Sequence, residues 1–251
     1  MAHQHSAKRE LLYCGEPKGG FLRADRVAEV LSESQLFGNL AGDELAALAA
    51  GCISRRFSKG DFVFHEGDRG ESLYVVAEGL IKVFVTSEDG SEVILATLEP
   101  PQTFGEMAII DGGPRTASAK AIQPSLLLAL TRETFVESLK KHPGLVEALH
   151  ASLGKLLRRL LEQTADLVFL DLHGRVAKLL LRLADEKGSR EGEEIRLDLK
   201  LSQGELAAMV GGSRPSVNQA LRALEGRAYI EVDGRSILIR RPDLLRRRAS
   251  L

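Results

Sequence analysis

The chain has 251 residues and a mass of 27.3 kDa, and 44% of its residues are hydrophobic, which allows one large domain or two of ordinary size. The net charge of −1 gives no overall argument for nucleic-acid binding, and the lack of an apolar run of about 18 residues excludes a membrane-spanning helix. The N-terminus lacks the apolar core of a signal peptide, so we expect a cytoplasmic protein in which Cys14 and Cys52 are ordinary thiols.

Residues 1–25 carry several glycines and prolines but no hydrophobic period, which predicts a flexible leader. His3 and His5 are two metal-ligand types close together, but no third ligand is nearby. We therefore expect no metal ion here.

Residues 26–142 are predicted to form one sensor domain. Two short helical patterns come first, around Val27–Leu31 and Leu45–Ala49, and from Arg56 the period falls to about two. The alternating runs are separated by turn residues that include Gly60, Gly67, Gly79 and Gly90. This pattern indicates an antiparallel sandwich or jelly roll. The metal-binding cupins share that fold, but they need clustered histidines, and the strand region offers only His65.

The most informative stretch runs from Phe104 to Ser118 and contains Phe-Gly-Glu-Met-Ala, then Gly-Gly-Pro-Arg-Thr-Ala. The glycine at 105 lets backbone N–H groups approach an anion, and Arg115 adds a planar, permanently charged fork that suits phosphate oxygens. Glu106 would repel a phosphate but can accept a hydrogen bond from a sugar hydroxyl. Phosphate and ribose in one cradle indicate a nucleotide.

These residues resemble the phosphate-binding cassette of cyclic-nucleotide-binding domains, as found in the catabolite activator (cyclic AMP receptor) proteins and in cyclic-nucleotide-dependent kinases. The resemblance implies that Glu106 binds the ribose 2′-hydroxyl and Arg115 the cyclic phosphate. It also implies that Thr116 adds its hydroxyl to the phosphate or the base, and that Gly105 and Met107 contribute backbone groups. The implied effector is cyclic AMP or cyclic GMP, and no metal.

A long helix of about 26 residues, roughly 39 Å, is predicted to begin at Pro143. Its leucines recur at three- and four-residue steps in a stripe too wide for one contact, so that one side can cover the barrel and the other can meet a second copy. We therefore assign residues 143–170 to a dimerisation helix and hinge, and we expect a homodimer. Asp171 is predicted to cap the following helix.

By the resemblance, Leu160 and Leu161 fall where the best-known cyclic AMP receptors carry a hydroxyl pair that touches adenine. Leucines give apolar contact but no hydrogen bonds, so base discrimination should either be weaker or rest on Thr116, Gln163 or Thr164. Other effectors stay open: cyclic di-GMP, no ligand at all, or haem with an axial histidine among His65, His142 and His150.

Residues 171–251 are predicted to form a winged helix-turn-helix domain with a basic tail. A polar loop over 185–194 and a strand over 195–199 come first. Ser202 to Glu205 form a capping box, Gly211 and Gly212 form the turn, and Ser213 caps a second helix that has Pro215 in its first turn. A hairpin wing follows. Residues 201–251 hold nine arginines against five acids, a net charge of +4.

The stretch from Leu201 to Asn218 closely resembles the winged helix-turn-helix of the same catabolite-activator family. Arg214 is expected to read guanine and Gln219 adenine, while Ser202, Gln203 and Ser216 hold phosphates. Family members often carry a glutamate where Pro215 stands and an arginine where Gln219 stands. The full set of candidate DNA contacts is Ser202, Gln203, Ser213, Arg214, Ser216, Asn218 and Gln219.

Together these patterns predict an α+β protein with an antiparallel β jelly roll that binds a cyclic nucleotide, a long dimerisation helix and a C-terminal winged helix-turn-helix. The predicted function is a ligand-responsive transcription regulator that binds palindromic double-stranded DNA as a homodimer and contacts RNA polymerase, with no membrane partner. An enzyme that cleaves the cyclic nucleotide would need metal-ligating His and Asp clusters, which the sequence lacks, so we expect no enzymatic activity.

Overall fold

The computed structural model describes residues 22–250, which form two compact units. The first comprises the residues up to 82 together with 97–150, and the second comprises 83–96 and 151–251. The histidines at 3 and 5, Cys14 and most of the predicted leader lie outside the described residues. Among residues 22–250, no helix is both long and apolar enough to cross a membrane.

Residues 24–141 form strands with short helices before and after them, and residues 83–96 of this stretch belong to the second unit. In chain order the elements are α1 Ala24–Glu33, α2 Gly42–Gly51, β1 Ile53–Phe57, β2 Phe62–Phe64, β3 Ser72–Glu78, β4 Ile81–Thr86, β5 Glu92–Leu98, β6 Thr103–Phe104, α3 Met107–Asp111, β7 Ser118–Ala121, β8 Ser125–Thr131 and α4 Arg132–Lys141. The strands form two four-stranded sheets, in the orders β1-β8-β3-β6 and β2-β7-β4-β5. Strand β8 pairs antiparallel with both β1 and β3. The predicted antiparallel β domain is confirmed.

Strands β3 and β8 are central because their sequences can be buried on both faces. Every residue from Leu126 to Leu130 is at most 2% exposed, as expected for a strand covered on both sides. The alternating pattern gave no prediction for β8. Helix α4 was also not predicted. It begins after Thr131, whose hydroxyl accepts a hydrogen bond from the Thr134 backbone N–H, and it buries Phe135 against Phe37 at a ring distance of 6.2 Å.

The second unit is mainly helical. Besides residues 83–96, its elements are most of α5 Pro143–Phe169, then α6 Leu172–Lys187, β9 Ser189–Glu191, β10 Glu194–Asp198, α7 Gln203–Met209, α8 Arg214–Gly226, β11 Ile230–Asp233, β12 Ser236–Ile239 and α9 Pro242–Ala249. Helix α5 has 27 residues and begins at Pro143, as predicted. The four strands form one sheet in the order β11-β12-β10-β9.

One sequence-based prediction for this unit was wrong, and one helix was not predicted. The segment 185–194 is not a polar loop, because α6 continues to Lys187 and Ser189–Glu191 pair with β10. The basic tail contains a helix at Pro242–Ala249, which buries Leu245 completely. Both segments have few apolar residues, so their hydrophobic patterns are too short to reveal a period.

Asp171 connects the start of α6 to the end of the chain. Its carboxylate accepts a hydrogen bond from the Gly174 backbone N–H at 2.8 Å, which confirms the predicted N-cap, and another from Arg248 Nη2 at 2.6 Å. Both contacts hold the pKa of Asp171 below its usual range, the hydrogen bond from Arg248 having the larger effect and that from Gly174 the smaller.

Asp171→Ala should therefore reduce the free energy of unfolding by about 1 kcal/mol at neutral pH, whereas Asp171→Asn keeps the cap and loses only the ion pair. A carboxyl whose pKa is lowered by folding stabilises the protein above its unfolded pKa of about 3.9, and this contribution disappears as the pH falls through the folded pKa. Urea unfolding at neutral and acidic pH measures this contribution to the free energy of unfolding. Equal midpoints for the three proteins at neutral pH would contradict the role.

Candidate functional sites

The backbone of the cassette leaves β6 at Phe104, turns at Gly105, and enters α3 with Glu106 as its N-terminal flanking residue. Gly105 has φ of +80°, in the region that favours glycine. A Cβ atom at this position would lie 2.7 Å from Arg115 Nη1. Gly105 is therefore required both by its backbone conformation and by the space that the arginine occupies.

Arg115 is only 4% exposed. Its Nη1 donates to the Gly105 carbonyl at 2.7 Å, and its Nη2 donates to the Ser72 carbonyl at 2.5 Å. Its Nε is buried and has no partner among the described residues. A buried donor of a charged group rarely stays unpaired, because losing its hydration costs free energy. The guanidinium is thus positioned with one donor left for an additional acceptor.

Two aromatic rings lie close to the guanidinium group of Arg115. Its Cζ lies 4.1 Å from the ring centre of Phe64 and 5.8 Å from that of Tyr74, within the range of cation–π attraction. Tyr74 is stacked on Phe104 at 5.4 Å. Arg132 also acts on the cassette, because its Nε donates to the Ile109 carbonyl of α3 at 3.0 Å. None of these supporting roles could be predicted from the sequence, since each depends on contacts between distant segments.

Glu106 lies near the arginine in a half-buried position. Burial raises the pKa of Glu106, partly offset by a backbone hydrogen bond and by the charge of Arg115. Burial likewise lowers the pKa of Arg115, while Tyr74, Asp68 and Glu106 act in the opposite direction. The site therefore holds a cation with an unused donor and a carboxylate acceptor, the two groups that a cyclic phosphate and a ribose hydroxyl require.

The other predicted cassette residues lie at the surface of the first unit. Met107 is 40% exposed, and the Thr116 hydroxyl, also exposed, lies 3.8 Å from its sulfur. The hydroxyl is thus not used by a strong protein acceptor. Together with Gly105, Glu106 and Arg115, these residues form one continuous segment around α3.

On α5, Leu160 is 37% exposed and Leu161 is 62% exposed. The Thr164 hydroxyl donates to the Leu160 carbonyl at 2.8 Å, and Gln163 Nε2 is 3.5 Å from the Leu95 carbonyl. The exposed apolar stripe of α5 consists of Leu157, Leu160, Leu161, Leu167, Val168 and Phe169. An uncovered apolar stripe of this length indicates a protein interface.

The three histidines considered as haem ligands lie in three different environments. His142 Nδ1 pairs with Glu44 Oε1, the His65 ring stacks on Phe62 at 4.0 Å, and His150 is exposed. Within residues 22–250, no group of three or more His, Cys, Asp or Glu side chains could hold a metal ion. Burial raises the pKa of Cys52 to about 12, so this thiol remains protonated.

The predicted helix-turn-helix is formed by α7 and α8. Ser202 accepts from the Glu205 backbone N–H at 3.2 Å, and Glu205 accepts in return from the Ser202 N–H at 2.6 Å. This confirms the capping box. Ser213 caps α8 by accepting from the Ser216 N–H at 3.3 Å. The two serine hydroxyls are bonded to each other at 2.8 Å.

The outer face of α8 is polar. Arg214, Gln219 and Arg222 are exposed and Asn218 is partly exposed, while Val217, Ala220, Leu221 and Leu224 are buried. Arg222 was not among the predicted DNA contacts, although it lies on α8 about two turns after Arg214. The Asn218 Oδ1 is buried without a partner.

A groove of about 450 Å³ lies beside this face. Its lining includes Ser202, Gln203 and Gly204 at the start of α7, Arg214 at the start of α8, and Gly234 and Arg235 in the turn of the wing. The structure therefore brings Ser202, Gln203 and Arg214 to one surface, and it adds Arg235 to them. Two helix starts and two arginines on one surface are suited to phosphate groups.

Two domain families match the chain. Residues 54–142 match the family described as the cyclic nucleotide-binding domain, and residues 174–248 match the Crp-like helix-turn-helix domain.

Similar proteins are known from several bacteria. The chain is 37% identical to the CRP-like cAMP-activated global transcriptional regulator of Mycobacterium tuberculosis, over 88% of this chain and 99% of that protein. It is 34% identical to the cyclic AMP receptor protein of Thermus thermophilus, over 84% and 95% respectively. Its fold is similar to that of CLP, described as a c-di-GMP responsive global regulator of Xanthomonas campestris, with a TM-score of 0.70 and 24% identity over 79% and 99% of the two chains.

Proposed function

Because the chain belongs to the CRP family of ligand-responsive, DNA-binding transcription regulators, we propose that cyclic AMP is its effector. The observation that carries this proposal is the buried guanidinium of Arg115, whose Nε has no hydrogen-bond partner among the described residues. Relatives at 37% and 34% identity are named for cyclic AMP. The effector acts by binding alone, without a catalytic step and without a metal ion.

Within the cassette, Arg115 binds the cyclic phosphate, Glu106 accepts from the ribose 2′-hydroxyl, and Gly105 and Met107 supply backbone contacts. Thr116 offers a hydroxyl to the phosphate or the base. Leu160, Leu161 and Thr164 are proposed to contact the base. The leucines give only apolar contact and the Thr164 hydroxyl is bonded to its own helix, so we expect weak discrimination between adenine and guanine.

Calorimetric titration of the full-length protein with cyclic AMP, cyclic GMP and cyclic di-GMP tests the effector directly. We expect binding of cyclic AMP and weaker binding of cyclic GMP. Binding of cyclic di-GMP alone would reject cyclic AMP and leave the family assignment intact, and no binding of any of the three would indicate a ligand-independent regulator.

The role of Glu106 predicts a specific interaction with one hydroxyl. Glu106→Gln should weaken cyclic AMP binding by about 1.5–3 kcal/mol, the value of a hydrogen bond to a charged group. Replacing cyclic AMP by its 2′-deoxy analogue should cost the wild type a similar amount but cost the variant little more, as a double-mutant cycle requires. Additive losses from the two changes would contradict this contact.

On DNA, α8 is proposed to enter the major groove of a two-fold symmetric site, with half-sites about 34 Å apart. Arg214 reads guanine and Gln219 adenine, while Ser202, Gln203, Ser213 and Ser216 hold phosphates and Asn218 also contacts the DNA. Two protomers associate through α5. The protein acts in the cytoplasm, where the chromosome lies, and RNA polymerase is its proposed protein partner.

An experiment can distinguish whether Arg214 contacts a base or only a phosphate. Arg214→Ala should cost about 1–3 kcal/mol on the specific site and reduce preference at one base pair, because its two donors match guanine O6 and N7. Arg227→Ala, at an exposed arginine just after the last residue of α8, is the matched control and should leave the base preference unchanged. Selection of binding sites from random DNA measures both. Equal weakening on all sequences would make Arg214 a phosphate contact only.

A further inference from the structure

The last turn of α9 carries a sequence motif that lies outside the proposed DNA contacts. Residues 246–251 read Arg-Arg-Arg-Ala-Ser-Leu. Ser250 therefore follows arginines at two and three positions upstream, has a small residue directly before it, and has an apolar residue after it. Serine kinases with acidic substrate grooves select cations at these two upstream positions, because charge-assisted hydrogen bonds are strong and directional. The segment has the composition of a phosphorylation site.

The structure leaves the acceptor hydroxyl and its neighbours accessible. Ser250 directly follows α9 with an extended backbone, at φ −92° and ψ 148°, and its side chain is exposed. Its hydroxyl donates a hydrogen bond to the Arg246 carbonyl at 2.9 Å, a contact that the loss of the last helical turn would release. The side chains of Arg246 and Arg247 are exposed as well, so a kinase groove can reach both cations.

Opening the last turn of α9 removes no side chain from the core. Leu245 anchors the helix and is fully buried, whereas every side chain from 246 to 250 is exposed or half-buried. Opening would break the hydrogen bond from Arg248 Nη2 to Asp171 Oδ1, which measures 2.6 Å. A segment with so few buried contacts opens locally at a low cost in free energy. The extended conformation that a kinase groove requires is thus available while Leu245 stays in place.

A second serine in the chain also follows two arginines, and the structure distinguishes it from the first. Ser58 comes after Arg55 and Arg56, which lie in β1 and pair with β8 through their backbones. A kinase could bind that segment only by removing an edge strand from its sheet. Lys59 also places a cation where Ser250 is followed by an apolar residue. Ser250 is therefore the better acceptor.

We propose that Ser250 is a phosphorylation site for an arginine-directed serine kinase, and that its phosphate lowers the affinity of the protein for DNA. In the transfer, Ser250 Oγ forms a bond to the γ-phosphorus of ATP while the bond from that phosphorus to ADP breaks. The hydroxyl proton passes to a base of the kinase.

The phosphate changes the charge of the DNA-binding unit. Residues 201–251 hold nine arginines against five acids, a net charge of +4. A phosphorylated serine adds about −1.5 to −2 at neutral pH, so about half of that positive charge is cancelled. Binding to the DNA backbone depends on positive charge and weakens accordingly. This consequence rests on the DNA-binding role, whereas the modification itself does not.

Incubation of the full-length protein with ATP and the catalytic subunit of a cyclic-AMP-dependent protein kinase, followed by mass spectrometry of its peptides, tests the site. We expect one phosphate, on Ser250, and none in Ser250→Ala. Arg247→Gln should lower the rate at least about tenfold, the loss of one charge-assisted hydrogen bond, while Arg190→Gln, at an exposed position on β9, should keep the wild-type rate. Asp171→Asn should be modified faster, because it releases Arg248 and the last turn.

The phosphorylated protein should bind the same DNA at least about threefold more weakly than the untreated protein in about 50 mM salt, and the difference should shrink as added salt screens the charges. Kinase-treated Ser250→Ala is the matched control and should bind DNA as the untreated wild type does. Modification of Ser58 instead of Ser250, equal rates in the wild type and Ser250→Ala, or undiminished DNA affinity after modification would overturn the proposal. Cyclic AMP should bind equally well before and after modification, so failure of this site and failure of the proposed effector are distinguishable.

Discussion

Arg115→Gln is expected to remove cyclic AMP binding while the protein remains folded. The guanidinium is buried and already oriented by the Gly105 and Ser72 carbonyls, so it binds a phosphate without first having to be ordered. Loss of its charge removes at least one charge-assisted hydrogen bond, worth about 1.5–3 kcal/mol, and also leaves the bound phosphate in a partly desolvated site without a counter-charge. Affinity should fall by more than about a hundredfold.

The experiment needs a control for the two carbonyls that Arg115 satisfies. Glutamine keeps an N–H₂ group that can donate to one of them, and circular dichroism with urea unfolding reports whether the fold persists. Arg55→Gln, at an exposed position on β1, is the matched variant and should bind as the wild type does. Undiminished affinity in folded Arg115→Gln would reject the cassette as the phosphate site.

Leu161→Asp is expected to convert the dimer into monomers. The side chain is 62% exposed in the single chain, and the neighbouring stripe is apolar, so the change places a carboxylate where a second copy should pack. Losing a buried leucine costs about 1.5–3 kcal/mol, and two-fold symmetry applies the cost twice. Dimer affinity should therefore fall by more than about a hundredfold.

Sedimentation velocity with and without cyclic AMP measures this effect, and binding to a two-half-site DNA should be lost in parallel. Lys155→Asp, on the opposite face of α5, provides a change of charge outside the stripe and should leave the dimer intact. A wild-type protein that is monomeric without the nucleotide, or a Leu161→Asp protein that stays dimeric, would show that α5 does not hold the protomers together in this way.

The parts of the sites that could be predicted from sequence are those encoded in a few consecutive residues. The capping box at Ser202 and Glu205 needs only four positions, and its two hydrogen bonds are present. The Asp171 cap is equally local. Gly105 was predicted to let backbone approach an anion; in the structure its positive φ and the space it leaves for Arg115 give it a further role.

The parts that could not be predicted depend on segments far apart in the chain. The environment of Arg115 is made by Ser72 and Tyr74 of β3 and Phe64 of β2, and nothing in their local pattern distinguishes them from other strand residues. Helix α9 was missed because a single leucine is fully buried on it, which is too little for a period. Arg222 could have been found from helical spacing alone.

The position of Tyr74 beside Arg115 also makes it possible to follow ligand binding by tyrosine fluorescence. The chain has three tyrosines and no tryptophan, so its ultraviolet emission comes from Tyr13, Tyr74 and Tyr229. Tyr74 is the one beside the guanidinium, at 5.8 Å from ring centre to Cζ. Replacing Tyr13 and Tyr229 by phenylalanine leaves a protein whose only fluorophore adjoins the cassette, so occupancy of the cassette can be followed optically without attaching a label.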